Sequence, residues 1–168
     1  MAAGESGEVL RMALRSVHDW LDEYGESHQD PTNKRIHWIC VPVIVFSVVG
    51  ILWSLPVPQA FVAISPAMNW AVLFAMAAVV YYFILSPSLA VGMVLILAAM
   101  LALAHWISAS SLSLLAVSVA VFVLAWIGQF VGHRIEGKKP SFFKDLLFLM
   151  IGPAWLLAFV YRRLGIRY

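Results

Sequence analysis

His28 and His37 frame the stretch "HQDPTNKRIH", and His133 follows "GQFVG" about a hundred residues later. Neutral imidazole is the commonest metal-binding side chain, and three imidazoles that leave open positions can hold an iron or a zinc. Each region also supplies an orienting neighbour. Asn33 lies four residues before His37, and Gln129 lies four before His133, so each pair shares a helical face. Glu136, three residues past His133, can hold an imidazole through its second nitrogen or act as a ligand itself. The plainer reading treats each histidine as an interfacial or capping residue at a helix end. It also treats Gly128 and Gly132 as a small-xxx-small face for close helix packing. Spacing alone leaves both readings open.

The elements that must carry these residues are membrane helices. No Asp, Glu, Lys or Arg occurs between Arg35 and Arg134, and 62% of the 168 residues are hydrophobic, with a mean hydropathy of +0.89. Charged residues make up 12%, against roughly a quarter in soluble domains, so the composition is that of an integral membrane protein. The net charge of +2 is too small for a nucleic-acid partner, and the basic residues sit at the ends of apolar runs, as topology signals do. Cys40 is the single cysteine, which leaves no intrachain disulfide. The N-terminus lacks a basic segment followed by an apolar core, so no cleaved signal peptide is expected.

The expected fold is an all-α, polytopic helical bundle. Residues 1–30 form an amphipathic interfacial helix and loop, and residues 31–168 form the membrane domain. Over residues 8–26, Leu10, Leu14, Val17, Leu21 and Tyr24 recur at helical spacing, with Gly25 as the expected stop. Asp30 then reads as an N-cap and Pro31 as the first helical position. Four spans follow: Pro31 to about Leu52 (with Pro42 as a kink position), Asn69–Leu85, Leu89–Ile107 and Leu112–Gly132. A last apolar run, Phe142–Tyr161, is interrupted by Gly152-Pro153 and is expected to be broken or re-entrant, with a fifth full span as the alternative.

Lys34 and Arg35 precede the first span, and Arg134, Lys138, Lys139 and Lys144 follow the fourth. Four crossings bring both clusters to the cytoplasmic side and put His28, His37 and His133 on one face. His105 falls on the opposite side, and His18 reads as interfacial. No charge lies within the spans, which disfavours ion-coupled transport, yet a non-catalytic transporter or assembly factor is the alternative to an enzyme.

The pattern "H-x-x-P-x-N-x-x-x-H" at 28–37, the block "QFVGHRIEGKKPS" at 129–141 and the late Gly152-Pro153 run resemble the 2-hydroxy fatty acid dioxygenase family. The resemblance implies an iron(II) enzyme of fatty acid α-oxidation. Such an enzyme takes a long-chain 2-hydroxy fatty acid and O2 and releases the acid shortened by one carbon. It implies His28, His37 and His133 as metal ligands with His105 as an additional candidate; Glu136 and Asn33, the neighbours singled out above, are the candidate catalytic residues beside them. It also implies the endoplasmic reticulum for a eukaryotic chain, or the inner membrane for a bacterial one. Arg134, Lys138 or Lys139 would hold the substrate carboxylate at the cytoplasmic interface, while the alkyl chain stays in the lipid bilayer.

Overall fold

The computed structural model describes residues 15–139 and 147–168, and all of their regular structure is helical. Residues 8–14 of the expected amphipathic helix and 142–146 of the last apolar run lie outside the described residues. The first described helix, α1 (Val17–Glu26), starts from a capping box. The Ser16 side chain accepts from the Asp19 amide, and the Asp19 side chain accepts from the Ser16 amide. Trp20, Leu21 and Tyr24 form its buried stripe. Gly25 does not stop it: the helix runs on to Glu26, and Gly25 faces the Trp155 indole.

Asp30 and Pro31 start α2 (Pro31–Trp53) as their chemistry dictates. The Asp30 carboxylate accepts from the amides of Thr32 at 2.7 Å and Asn33 at 3.1 Å, and Pro31 takes the position whose missing N–H costs nothing. Two of those accepted bonds hold the Asp30 carboxyl below the usual carboxylate range. Next come a short helix α3 (Gln59–Ile64), α4 (Trp70–Leu85), α5 (Pro87–Ser108), α6 (Leu114–Glu136) and α7 (Phe148–Leu164). Ser86 alone separates α4 from α5 and caps both, which forces a tight hairpin. At the end of α6, Gly137 adopts φ +71°, a left-handed cap that L side chains rarely take.

Among the described residues, three helices are long and apolar enough to cross a membrane: α2, α5 and α6, of 23, 22 and 23 residues. At 1.5 Å per residue each is about 33 to 35 Å long, enough for the roughly 30 Å of hydrocarbon core. The expected second span appears as α4, whose 16 residues extend only about 24 Å.

The backbone of the bundle is the antiparallel pair α2 and α6. Gly50 of α2 faces Ser118 and Leu114 near the start of α6, and Gly132 near the end of α6 faces the Asn33 side chain near the start of α2. A Cβ on Gly132 would run into Asn33 Oδ1, and one on Gly128 would come within 2.7 Å of Cys40 Sγ. The small-residue packing read from "GQFVG" is therefore a real contact face, and it brings His133 beside the first turn of α2.

The Gly152-Pro153 pair does not break the described part of the last run, which is one helix from Phe148 to Leu164, contrary to expectation. Pro153 is the sixth residue of α7, so the carbonyl it leaves without a helical partner is that of Leu149, in the opening turn. Gly152 supplies room for Tyr24 Oη. Both ends of α7 are tied to the α4–α5 hairpin. Tyr82 Oη donates to the Met150 carbonyl at 2.8 Å, and Tyr161 Oη donates to the Ser88 carbonyl at 2.9 Å. Since Tyr82 and Ser88 flank a single turn, α7 lies across the hairpin end of the bundle, packed with α1 against one shared core.

Candidate metal centre

His28 closes the loop after α1, His37 sits on the second turn of α2, and His133 sits on the last turn of α6. All three are buried, at 1%, 1% and 5% exposure, and one ligand nitrogen from each lies within 4.8 Å of the others. The first two rings have defined tautomers. His28 Nδ1–H donates to the Tyr24 carbonyl at 2.6 Å, and His37 Nδ1–H donates to the Asn33 carbonyl at 3.0 Å. Both bonds reach back four residues, as helical carbonyls allow. Each Nε2 therefore carries a lone pair, and the two Nε2 atoms face each other at 2.9 Å. Two buried acceptors at that distance repel unless a cation or a proton lies between them. His133 adds a third imidazole at 5.0 Å between ring centroids from each of the others, close to perpendicular to both. Its Nδ1 and the amide nitrogen of Gln129 are buried without hydrogen-bond partners. Three neutral nitrogen donors with opposed lone pairs and no carboxylate among them fit a divalent transition metal with open positions.

The surroundings keep the imidazoles neutral. Tyr24 stacks on His28 with ring centroids 4.1 Å apart, and Trp155 lies 5.5 Å away. Burial and then the His37 ring push the His28 imidazole down to about 3, against the weaker pull of the Tyr24 carbonyl. Burial raises the Tyr24 phenol above its ordinary range.

Glu136 and Asn33 serve this cluster differently from the sequence expectation. The Glu136 carboxylate bonds no imidazole. It accepts from the amides of Gln29 at 2.7 Å and Asp30 at 2.8 Å, and from Asn33 Nδ2 at 3.0 Å. Asn33 Nδ2 also donates to the Ser27 carbonyl at 3.3 Å. The pair thus pins the loop on both sides of His28 to the ends of α2 and α6. Asn33 also holds His37, through its main-chain carbonyl.

His105 lies outside the cluster. It is exposed near the end of α5, beside Trp53, which is 16 residues or about 24 Å further along α2 than His37. His18 is exposed and lies against Tyr168. Of the candidate carboxylate partners, Lys138 donates to the Glu26 carbonyl at 2.6 Å, and Arg134 and Lys139 are exposed and are not among the residues lining the histidine cavity. Sequence reasoning placed Tyr24 only on an apolar stripe. Its position four residues before His28 was the available signal that one helical register would bring its carbonyl and ring to the imidazole.

A cavity of about 50 Å³ opens beside the rings, bounded by Tyr24, the three histidines, Val41, Gln129 and Gly152 among others. It shares Ile44, Val45, Trp126 and Leu149 with a neighbouring cavity of about 310 Å³. The second is walled by apolar side chains of α2, α4, α5, α6 and α7.

Over residues 14–164 the chain matches the model of the Mpo1-like family, described as 2-hydroxy-palmitic acid dioxygenase Mpo1-like. It is also 28% identical, over 146 residues, to the 2-hydroxy-palmitic acid dioxygenase MPO1 of Saccharomyces cerevisiae, covering 86% of this chain and 79% of that protein. No solved structure matches it. A family match spanning nearly the whole chain, both helix ends that carry the histidines included, makes this protein a member of the Mpo1-like family.

Proposed function

We propose that this protein is an iron(II)-dependent dioxygenase that converts long-chain 2-hydroxy fatty acids and O2 to fatty acids one carbon shorter. One observation carries the reading: three buried imidazoles, two with opposed lone pairs, stand at the head of an apolar cavity. Family membership and the yeast relative's name supply the substrate class.

His28, His37 and His133 would hold the iron, and Glu136 and Asn33 would position His28 and His37. Iron(II) supplies redox access to O2, which zinc lacks, and a Lewis-acidic centre for two adjacent oxygens. In the balanced reaction one O2 is consumed and the C1–C2 bond breaks. C1 leaves as CO2, C2 becomes the new carboxyl carbon, and one water forms. The protein's own part is to orient and to exclude water. Tyr24, Trp155 and Phe148 wall the rings off, and the unpartnered Gln129 amide is placed to bond an oxygen of the head group. The Nδ1–H bonds to Tyr24 and Asn33 keep the donor nitrogens unprotonated.

Four crossings, by α2, α4, α5 and α6, would put the histidine end on the cytoplasmic face, with α7 covering it. The basic residues at that end support this orientation, namely Lys34, Arg35, Arg134, Lys138, Lys139, Arg162 and Arg163.

The test is turnover. Purified protein with iron(II) and O2 should convert a 2-hydroxy fatty acid to the acid one carbon shorter, and should leave the same acid without the hydroxyl intact. Iron-loaded protein that leaves every 2-hydroxy acid unchanged under O2 would defeat the proposal.

A further inference from the structure

We infer that the apolar cavity leading from the histidines to Phe74 and Phe122 holds the alkyl chain of the substrate inside the protein, and that its far end limits chain length. This rests on the proposed function for the head group, and it replaces the expectation that the chain stays in the bilayer.

Adjacency is the first argument. Ile44, Val45, Trp126 and Leu149 belong to both the histidine cavity and the larger one, so only these side chains stand between the rings and the larger space. Chemistry is the second. The larger cavity is lined by aliphatic and aromatic groups, and its one hydroxyl, on Tyr82, is already given to the Met150 carbonyl. Apart from the indole of Trp126, at the end shared with the histidine cavity, such a lining has nothing to offer a polar ligand and loses nothing against methylenes. Size is the third. About 310 Å³ is within the range of ligand pockets and far beyond the packing defects of a closed core.

Depth is the fourth. On α2 the lining runs from His37 to Val48, and on α6 from His133 back to Phe122, 11 residues in each case. At 1.5 Å per residue both helices give a depth of about 16 Å. A bilayer's hydrocarbon core of roughly 30 Å holds two layers of acyl chains, so about 15 Å is the reach of one long chain. The cavity is as deep as one such chain is long. Val48, Phe74 and Phe122 form its floor.

The experiment uses the full chain in nanodiscs, without O2, and a 2-hydroxyhexadecanoic acid bearing a photoreactive diazirine at its last carbon. Labelling is expected on Val48, Phe74 or Phe122, and a mid-chain diazirine should label Ile44, Trp126 or Leu149. Labelling on the outward faces instead, such as Phe83, Val91 and Leu124, would overturn the inference. A second arm measures affinity across chain lengths. Val48→Phe should weaken long acids by about fourfold for each methylene displaced while leaving short acids unchanged, and Phe122→Ala should favour longer ones. Retained binding of short acids certifies that Val48→Phe is folded, and an equal loss at every length would refute the floor. If hexadecanoic acid without the hydroxyl labels the same residues as strongly, the chain site stands and the chelating head-group reading fails.

Discussion

Glu136→Ala separates a residue that positions the metal site from one that binds metal. The carboxylate takes three hydrogen bonds, from the Gln29 amide, the Asp30 amide and Asn33 Nδ2. Gln29 is exposed and Asp30 half-buried, so water replaces the lost acceptor for those two amides at little cost. Asn33 is fully buried and keeps only the longer bond to the Ser27 carbonyl. One buried donor left weakly satisfied costs about 1 to 3 kcal/mol. If about 2 kcal/mol of that strain falls on the loop carrying His28, iron affinity drops about 30-fold, within the 10- to 100-fold typical of residues that orient ligands. The assay is iron(II) titration of the purified variant in nanodiscs, with circular dichroism to check its helix content. Wild-type affinity in the variant would refute the clamp. A loss as complete as that of a histidine variant would refute its positioning role and make Glu136 a ligand.

The remaining expectations concern the histidines, the topology and pH. His37→Ala and His133→Ala should each abolish stoichiometric iron while still inserting into membranes, and His105→Ala should keep full iron content; elemental analysis of the purified variants checks all three. In a Cys40→Ser background, cysteines at Gln29 and Lys139 should label from one side of the membrane and one at Ser110 from the other. Opposite labelling of the first two would separate His28 from His133 by roughly 30 Å and dissolve the site. His28 is pushed down to about 3 in the folded protein, so the unfolded chain takes up a proton near pH 6.5 that the folded site refuses. Its contribution to metal-free stability is thus present above pH 6.5 and lost progressively as pH falls from there towards 3. The melting temperature of metal-free protein should fall between pH 7 and 5, and His28→Leu should flatten that slope.

Much of the scaffold was legible because single residues carried it. Asp30-Pro31 announced the start of α2, Gly128 and Gly132 announced the close approach of α6, and the uncharged stretch announced the membrane. Those signals are local, and each depends on one residue's own geometry or solvation. Gly152-Pro153 predicts a broken last helix because the pair is a breaker anywhere but near a helix start, and the sequence does not say where α7 begins. The roles of Glu136 and Asn33 were hidden for a related reason. A carboxylate three residues from a histidine looks like its partner until the antiparallel pairing of α2 and α6 brings the Gln29 and Asp30 amides closer.

The cavity had no signature in the sequence at all, and the reason is physical. Ile44, Val45, Val48, Phe74, Leu97 and Phe122 are ordinary apolar residues of membrane helices, and each is equally suited to lipid or to a neighbouring helix. What makes them a pocket is where α2 meets its partners: it packs on α6 through Gly50, Gly128 and Gly132, and it meets α4 and α5 in a buried cluster of Val49, Ala71 and Ala104, further from the histidines. Between that cluster and the histidines lies the space lined by Phe74 on α4 and by Phe122 and Trp126 on α6. In this arrangement the α2–α6 pair that gathers the histidines also supplies two walls of the apolar space. The metal ligands and the apolar space beneath them are consequences of the same helix pairing.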